Sequence, residues 1–307
     1  MLLDWVIVVL TIGGLWLGGN WIVNSASRIA KQFGMSELVI GLTIVAIGTS
    51  APEFAVTIAA ALGGQADISV GNVVGSNIFN LGFILGGVAL VAGIPTNRKL
   101  VFRDGGMLIG ATILLLIFLS DLRMALWEGA ILMIVLVSYV SYLLYIRDGG
   151  DTAEELPEGD FKWTDIPMLI AGIALIVISG EFLVESATHI ARAFGLSEWV
   201  IGVTIVAAGT SAPEMATSLV GVMRGRHGIS IGNLIGSDLF NLLGVLGLAA
   251  VINPMTVASS AYGSLWLLFA LVALVVIMMR TGWRLSRWEG GLLVVINLVR
   301  WIADFTG

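Results

Sequence analysis

Apolar residues run through this chain in stretches of membrane-crossing length, separated by short polar punctuation. A helix needs about 20 mostly apolar residues to span the hydrocarbon core. Such runs fall at 4–27, 37–62, 68–93, 105–120, 124–146, 164–189, 198–223, 229–252, 257–279 and 287–303. They predict ten transmembrane helices. The breaks at Lys31–Gly34, Gly63–Asp67, Asn97–Asp104, Ser120–Arg123, Asn253–Pro254 and Arg280–Arg284 are brief. The longer stretch Arg147–Lys162, RDGGDTAEELPEGDFK, reads as a solvated linker rich in Gly, Asp and Glu. The expected organisation is one membrane domain with helices 1–5 in residues 1–146, a linker at 147–163 and helices 6–10 in 164–307. The first apolar run is too long for a signal peptide and lacks a basic leader.

The two groups of five repeat each other. Residues 41–53 read GLTIVAIGTSAPE and residues 202–214 read GVTIVAAGTSAPE, so Glu53 and Glu214 lie 161 positions apart. The same offset carries Ser76 onto Ser237 and Asn80 onto Asn241. Because five is odd, the second group must run through the membrane upside down relative to the first, with any shared site near the bilayer midplane. Placing the loops alternately on two faces puts twelve of the 15 Lys and Arg on one side and only Arg123, Arg192 and Arg300 on the other. By the positive-inside rule the linker is cytoplasmic and both termini are extracytoplasmic. The fold class expected is therefore all-α integral membrane, ten helices in two inverted repeats, as a multi-pass protein of the plasma membrane.

Composition narrows the chemistry. Of 307 residues, 58% are hydrophobic and 12% charged, about half the charged share of a soluble domain. The absence of cysteine excludes disulfides and thiolate metal sites. Only His189 and His227 are present, too few for a His-ligated zinc site or a hydrolase triad. A net charge of −6 with no basic stripe gives no reason to expect nucleic acid. No enzyme, cofactor or required protein partner is indicated; the expected partners are transported ions and membrane lipid.

A carboxylate at the centre of a membrane helix costs about 2.5–3.5 kcal/mol on insertion scales, so Glu53 and Glu214 need a purpose. Pro52 and Pro213 lack an N–H and free backbone acceptors near Gly48 and Gly209, which must find partners in lipid. Around them sit Thr49, Ser50, Thr210 and Ser211. Carboxylate, hydroxyl and carbonyl oxygens without sulfur or imidazole suit hard cations. The segments GNVVGSNIFN (71–80) and GNLIGSDLFN (232–241) add a second layer: glycines four apart for close helix contact, and Ser76 with Asn80, or Ser237 with Asn241, on one face.

These motifs resemble the alpha-repeats of the cation/calcium exchanger superfamily, most closely its prokaryotic sodium/calcium exchanger branch. The resemblance implies a core of helices 2, 3, 7 and 8 past which helices 1 and 6 slide, and antiport of roughly three Na+ per Ca2+. It implies Glu53 and Glu214 as principal Ca2+ ligands, with Thr49 and Thr210 beside them. Ser50, Ser76, Ser211, Ser237 and the carbonyls of Ala46 and Ala207 would serve Na+, and Asn80 and Asn241 would line the centre. Asparagine at 241, where some relatives carry Asp, argues against K+ dependence. Carboxylates also carry protons, so an H+-coupled Ca2+ antiporter on the same scaffold is the alternative. Asp238 stands where the pattern has Asn, as at Asn77. One residue turns about 100° around a helix, so it should leave the face of Ser237 and Asn241 and serve as a protonated or hydrogen-bonded acid behind the site, or alter coupling. Glu181 and Glu185, matched by Asn20 and Asn24, could flank an external entry path, but the expected reading is that they bond neighbouring backbone near a helix end. Gly13, Gly14, Gly18, Gly19, Gly172 and Gly180 are expected to give helices 1 and 6 smooth sliding surfaces.

Overall fold

The computed structural model describes residues 2–147, 160–195, 207–259 and 261–306. Most of the expected linker and the start of the seventh expected span, residues 196–206, lie outside the described residues. The rest is helical almost throughout: α1 (Leu2–Phe33), α2 (Glu37–Thr49), α3 (Ala51–Leu62), α4 (Ala66–Ala92), α5 (Lys99–Asp121), α6 (Leu126–Ile146), α7 (Asp165–Ala193), α8 (Ala207–Thr210), α9 (Ala212–Met223), α10 (His227–Ile252), α11 (Ala261–Trp283) and α12 (Arg287–Thr306). Seven of them, α1, α4 to α7, α10 and α11, are each long and apolar enough to cross a membrane. The pair α2 and α3, bent by 51°, makes an eighth if counted as one span. The helix α12 carries Arg287, Glu289 and Arg300 and is not among them.

Burial concentrates on α4 and α10. Small residues bring α10 against α2: a Cβ at Gly236 would lie 2.7 Å from Leu42 Cα, and one at Gly232 2.7 Å from the Leu38 carbonyl. No side chain larger than hydrogen fits there. The matched glycines Gly71 and Gly75 of α4 have no such neighbour among the described residues; they line a cavity with Asp67, Val257 and Arg300.

The long helices α1 and α7 form one antiparallel pair. A Cβ at Gly18 would lie 2.9 Å from the Gly172 carbonyl, and one at Gly172 3.0 Å from the Gly18 carbonyl. At one end Arg28 donates to Asp165 through Nη2 (2.5 Å) and Nε (2.9 Å). At the other, His189 Nδ1 lies 3.3 Å from Asp4 Oδ1. Asp4 and Asp165 are 161 positions apart, and so are Arg28 and His189. One clamp is thus written twice, once with Arg and once with His. Gly18 and Gly172 thus face each other inside the α1–α7 pair, while Gly19 and Gly180 face α9.

Two short antiparallel ribbons tie distant loops together. β1 (Ile94–Pro95) pairs with β4 (Arg284–Leu285), and β2 (Arg123–Met124) with β3 (Met255–Thr256). Shifting the register Ile94↔Leu285 by the offset gives Met124↔Met255, the register of the other ribbon.

Candidate ion-binding site

The site is built on two helix breaks. At Ser50 the backbone leaves helical geometry (φ −79°, ψ 14°) and at Ser211 it does the same (φ −88°, ψ 11°). Pro52 and Pro213 follow in the first turn of α3 and α9, where a missing N–H breaks no helical bond. Glu53 and Glu214 sit in the same turn, at the helix end whose dipole favours negative charge.

Each break hands its hydroxyl to the other carboxylate. Ser50 Oγ donates to Glu214 Oε1 at 3.0 Å, and Ser211 Oγ donates to Glu53 Oε1 at 3.0 Å. The four side chains therefore converge, although they come from segments about half the chain apart. Glu53 and Glu214 have no solvent-exposed surface and lie within electrostatic reach of each other. The second oxygen of each carboxylate, Oε2, is buried without a hydrogen-bond partner, and so are Oδ1 of Asn80 and Oδ1 of Asn241. Buried like charges with unpaired oxygens are costly. A hard cation meets that demand, because it takes carboxylate and neutral oxygens together.

A ring of hydroxyls and backbone surrounds the pair. Ser237 Oγ donates toward Glu214 Oε1 at 3.3 Å and the Ala46 carbonyl at 3.5 Å. Thr49 Oγ1 lies 3.2 Å from the Ala46 carbonyl, 3.0 Å from Asn233 Oδ1 and 3.3 Å from Ser237 Oγ. Thr49, Ser50, Ser76 and Ser211 are buried, whereas Thr210 is half-buried and lies within electrostatic reach of Glu53. Ala207 lies in α8. Asn80 begins a widened i→i+5 helical turn over Asn80–Ile84, and Asn241 lies in another over Phe240–Val245. Such turns loosen the backbone and recur at functional sites.

Several polar residues escaped the sequence reading. Asn72 Nδ2 donates to Thr57 Oγ1 (2.9 Å) and toward the Glu53 carbonyl (3.3 Å). Asn233 Nδ2 donates to Ser218 Oγ (3.1 Å) and toward the Glu214 carbonyl (3.5 Å). Ser69 donates to the Thr57 carbonyl and Ser230 to the Ser218 carbonyl. Every one of these pairs repeats at 161, so the offset that exposed the glutamates could have exposed them too. Their effect is to pin α4 to α3 and α10 to α9 directly behind the carboxylates.

Asp238 is fully buried, and its Oδ1 accepts from Asn80 Nδ2 at 3.1 Å, in agreement with a hydrogen-bonded acid behind the site. Glu181 and Glu185, expected to bond backbone, are instead exposed.

A model of the sodium/calcium exchanger protein family matches residues 3–145 and 165–299. The chain belongs to this family. The sodium/calcium exchanger MaX1 of Methanosarcina acetivorans is 33% identical to it, over 91% of each chain. The inner membrane protein YrbG of Escherichia coli is 34% identical, over 92% of this chain and 90% of its own. A solved structure of the sodium-calcium exchanger NCX_Mj superposes with a TM-score of 0.84 at 28% identity and covers 99% of both chains. This exchanger-family chain is a multi-pass membrane transporter and not an enzyme, in a family that needs no cofactor.

Proposed function

We propose that this chain is a secondary antiporter of the plasma membrane that exchanges Na+ for Ca2+ at the site between Glu53 and Glu214. The reciprocal bonds Ser50–Glu214 and Ser211–Glu53, with both Oε2 atoms left unpaired, carry the reading. Glu53 and Glu214 ligate Ca2+, assisted by Thr49 and Thr210. Ser50, Ser76, Ser211, Ser237 and the carbonyls of Ala46 and Ala207 serve Na+, and Asn80 and Asn241 line the centre. Two ionised carboxylates balance one Ca2+, while roughly three Na+ leave one positive charge, so exchange in that ratio moves charge across the membrane. Family membership and the likeness to MaX1 and NCX_Mj support the choice of ions.

The architecture read from the sequence goes with it: ten helices in two inverted halves, residues 1–146 and 164–307, joined by a cytoplasmic linker at 147–163, with both termini outside. The twofold exchange of ribbon registers and of the Asp4–His189 and Arg28–Asp165 clamps supports that arrangement.

Flux in liposomes tests the coupling. An outward Na+ gradient is expected to drive 45Ca2+ uptake, which an imposed membrane potential accelerates or slows according to its sign. Uptake driven by a pH gradient in Na+-free medium, with no response to Na+, would replace this reading with the H+-coupled one.

The matched helix faces differ in exposure. Gly19 of α1 packs on α9, where its Cβ would lie 3.1 Å from Val220 Cγ2 and 3.2 Å from the Ala216 carbonyl, and Ala212, Ala216 and Val220 are buried. The matched residues of α3, Ala51, Ala55 and Ala59, are exposed. By the topology above, α9 leads from the site to the cytoplasm and α3 to the outside, so the conformation is closed inward and open along the outer route. The protein has no native cysteine. A membrane-impermeant thiol reagent added outside is therefore expected to label Ala55→Cys rapidly and Ala216→Cys at least about tenfold more slowly.

A further inference from the structure

Within the repeated segments GNVVGSNIFN and GNLIGSDLFN, one polar position changes its charge type: Asn77 is matched by Asp238. Both are fully buried, and both face the opposite half. Asn80 Nδ2 donates to Asp238 Oδ1 at 3.1 Å, Asn241 Nδ2 donates to Asn77 Oδ1 at 3.3 Å, and Asn77 Nδ2 donates to the Asp238 carbonyl at 3.0 Å. The last residue of each segment thus gives its amide hydrogens to the seventh residue of the other.

A primary amide is planar, with donors on one end and an acceptor on the other. Engaging its NH2 fixes the direction in which its oxygen points. In both asparagines the oxygen so released, Oδ1, is the atom left buried without a partner. Turned the other way round, Asn80 would present N–H groups to an incoming cation and repel it. The two halves engage the amide by different means. Asn77 turns its Oδ1 to Asn241 because its own Nδ2 is held by the Asp238 backbone carbonyl, whereas the Asp238 carboxyl meets Asn80 directly through an acceptor oxygen. Asp238 therefore engages the NH2 end of Asn80.

We propose that Asp238 is a positioning residue for ion binding: its Oδ1 anchors the Asn80 amide so that the carbonyl oxygen is offered to the transported cation. This rests on the Glu53–Glu214 centre being the cation site. Asp238→Asn keeps an acceptor within reach of Asn80, and Asp238→Leu removes it while keeping the branched outline of the side chain. In liposomes, Asp238→Leu is expected to raise the apparent KM for Ca2+ or Na+ by about tenfold, the scale of one lost buried hydrogen bond, with maximal rate changed much less. Asp238→Asn is expected to recover most of that loss. Because Asp238 acts through Asn80, adding Asp238→Leu to Asn80→Ala is expected to raise KM no further than Asn80→Ala does alone.

Unchanged KM values in Asp238→Leu would overturn the proposal. So would an Asp238→Asn protein as impaired as Asp238→Leu, since the effect would then belong to the charge and not to the amide. Additive losses in the double variant would also overturn it. Asp238→Ala provides the same comparison if the leucine variant does not fold. Glu53→Gln measured alongside separates these outcomes from failure of the site itself, in which case that variant would transport like the wild type.

Discussion

Glu53→Gln and Glu214→Gln are each expected to abolish Na+-gradient-driven 45Ca2+ uptake, with a loss of ~10²-fold or more. Glutamine matches glutamate in shape, and its Oε1 can still accept the hydroxyl that Ser211 or Ser50 donates at 3.0 Å. The packing around α3 and α9 is therefore kept, and what disappears is one of two negative charges facing a divalent ion. Removing one partner from a buried ionic arrangement costs about 3–5 kcal/mol, which is the source of the expected loss. Stability should move the other way. With no ion bound, two buried carboxylates repel each other, so neutralising one relieves strain. The thermal midpoint of the detergent-solubilised variants is expected to equal or exceed that of the wild type in ion-free buffer, and to lose its upward shift on Ca2+ addition. Robust exchange in either variant would remove the two-carboxylate site.

Much of this site was legible because the offset of 161 marks matched residues. It marked the glutamates, the serines before them and the asparagines that close each segment. An offset identifies equivalents, however, and not partners. Glu53 bonds Ser211 and not Ser50, its neighbour three residues back. That crossing depends on how the two breaks meet, which no local pattern encodes. The glycines were only partly legible for a similar reason. Small residues announce close approach, yet sequence does not say to which helix: Gly18 and Gly172 close α1 onto α7, while Gly19, one residue on, meets α9.

Conformational state was illegible on principle. Two halves with matched sequence can describe either of two openings related by the pseudo-twofold axis, and only packing chooses between them. The choice is supported by contacts of two arginines that the other half does not possess. Arg224 donates to Asn20, and Arg226 lies 3.5 Å from Glu37, which also accepts from Ser27. The positions matched to Arg224 and Arg226 are Gly63 and Gln65, which carry no charge. Asn20 is buried on the closed route, while its equivalent Glu181 is exposed.

Cross-linking should separate the helix pair that moves together from the contact that must part. A disulfide needs Cβ atoms about 3.5–4.5 Å apart. The built Cβ of Gly14 lies 3.3 Å from Ser179 Cβ, so Gly14→Cys with Ser179→Cys joins α1 to α7 with little adjustment. Because Gly18–Gly172 packing and two end clamps already bind these helices as a unit, oxidising this pair is expected to leave most Na+-driven Ca2+ uptake intact. Gly19→Cys with Val220→Cys joins α1 to α9 instead; truncating Val220 also clears the Cγ2 atom that would crowd a Cβ at position 19. That bond holds the cytoplasmic route shut, so oxidation is expected to cut uptake at least about tenfold and a reductant to restore it. The background needs no cysteine removal. Binding should survive the block: a Ca2+-dependent rise in thermal midpoint is expected in the oxidised Gly19–Val220 protein, because the outer route to Glu53 and Glu214 stays open. Full transport with α1 fastened to α9 would mean that these two helices never separate during exchange, and a different pair of surfaces would have to open the site inward.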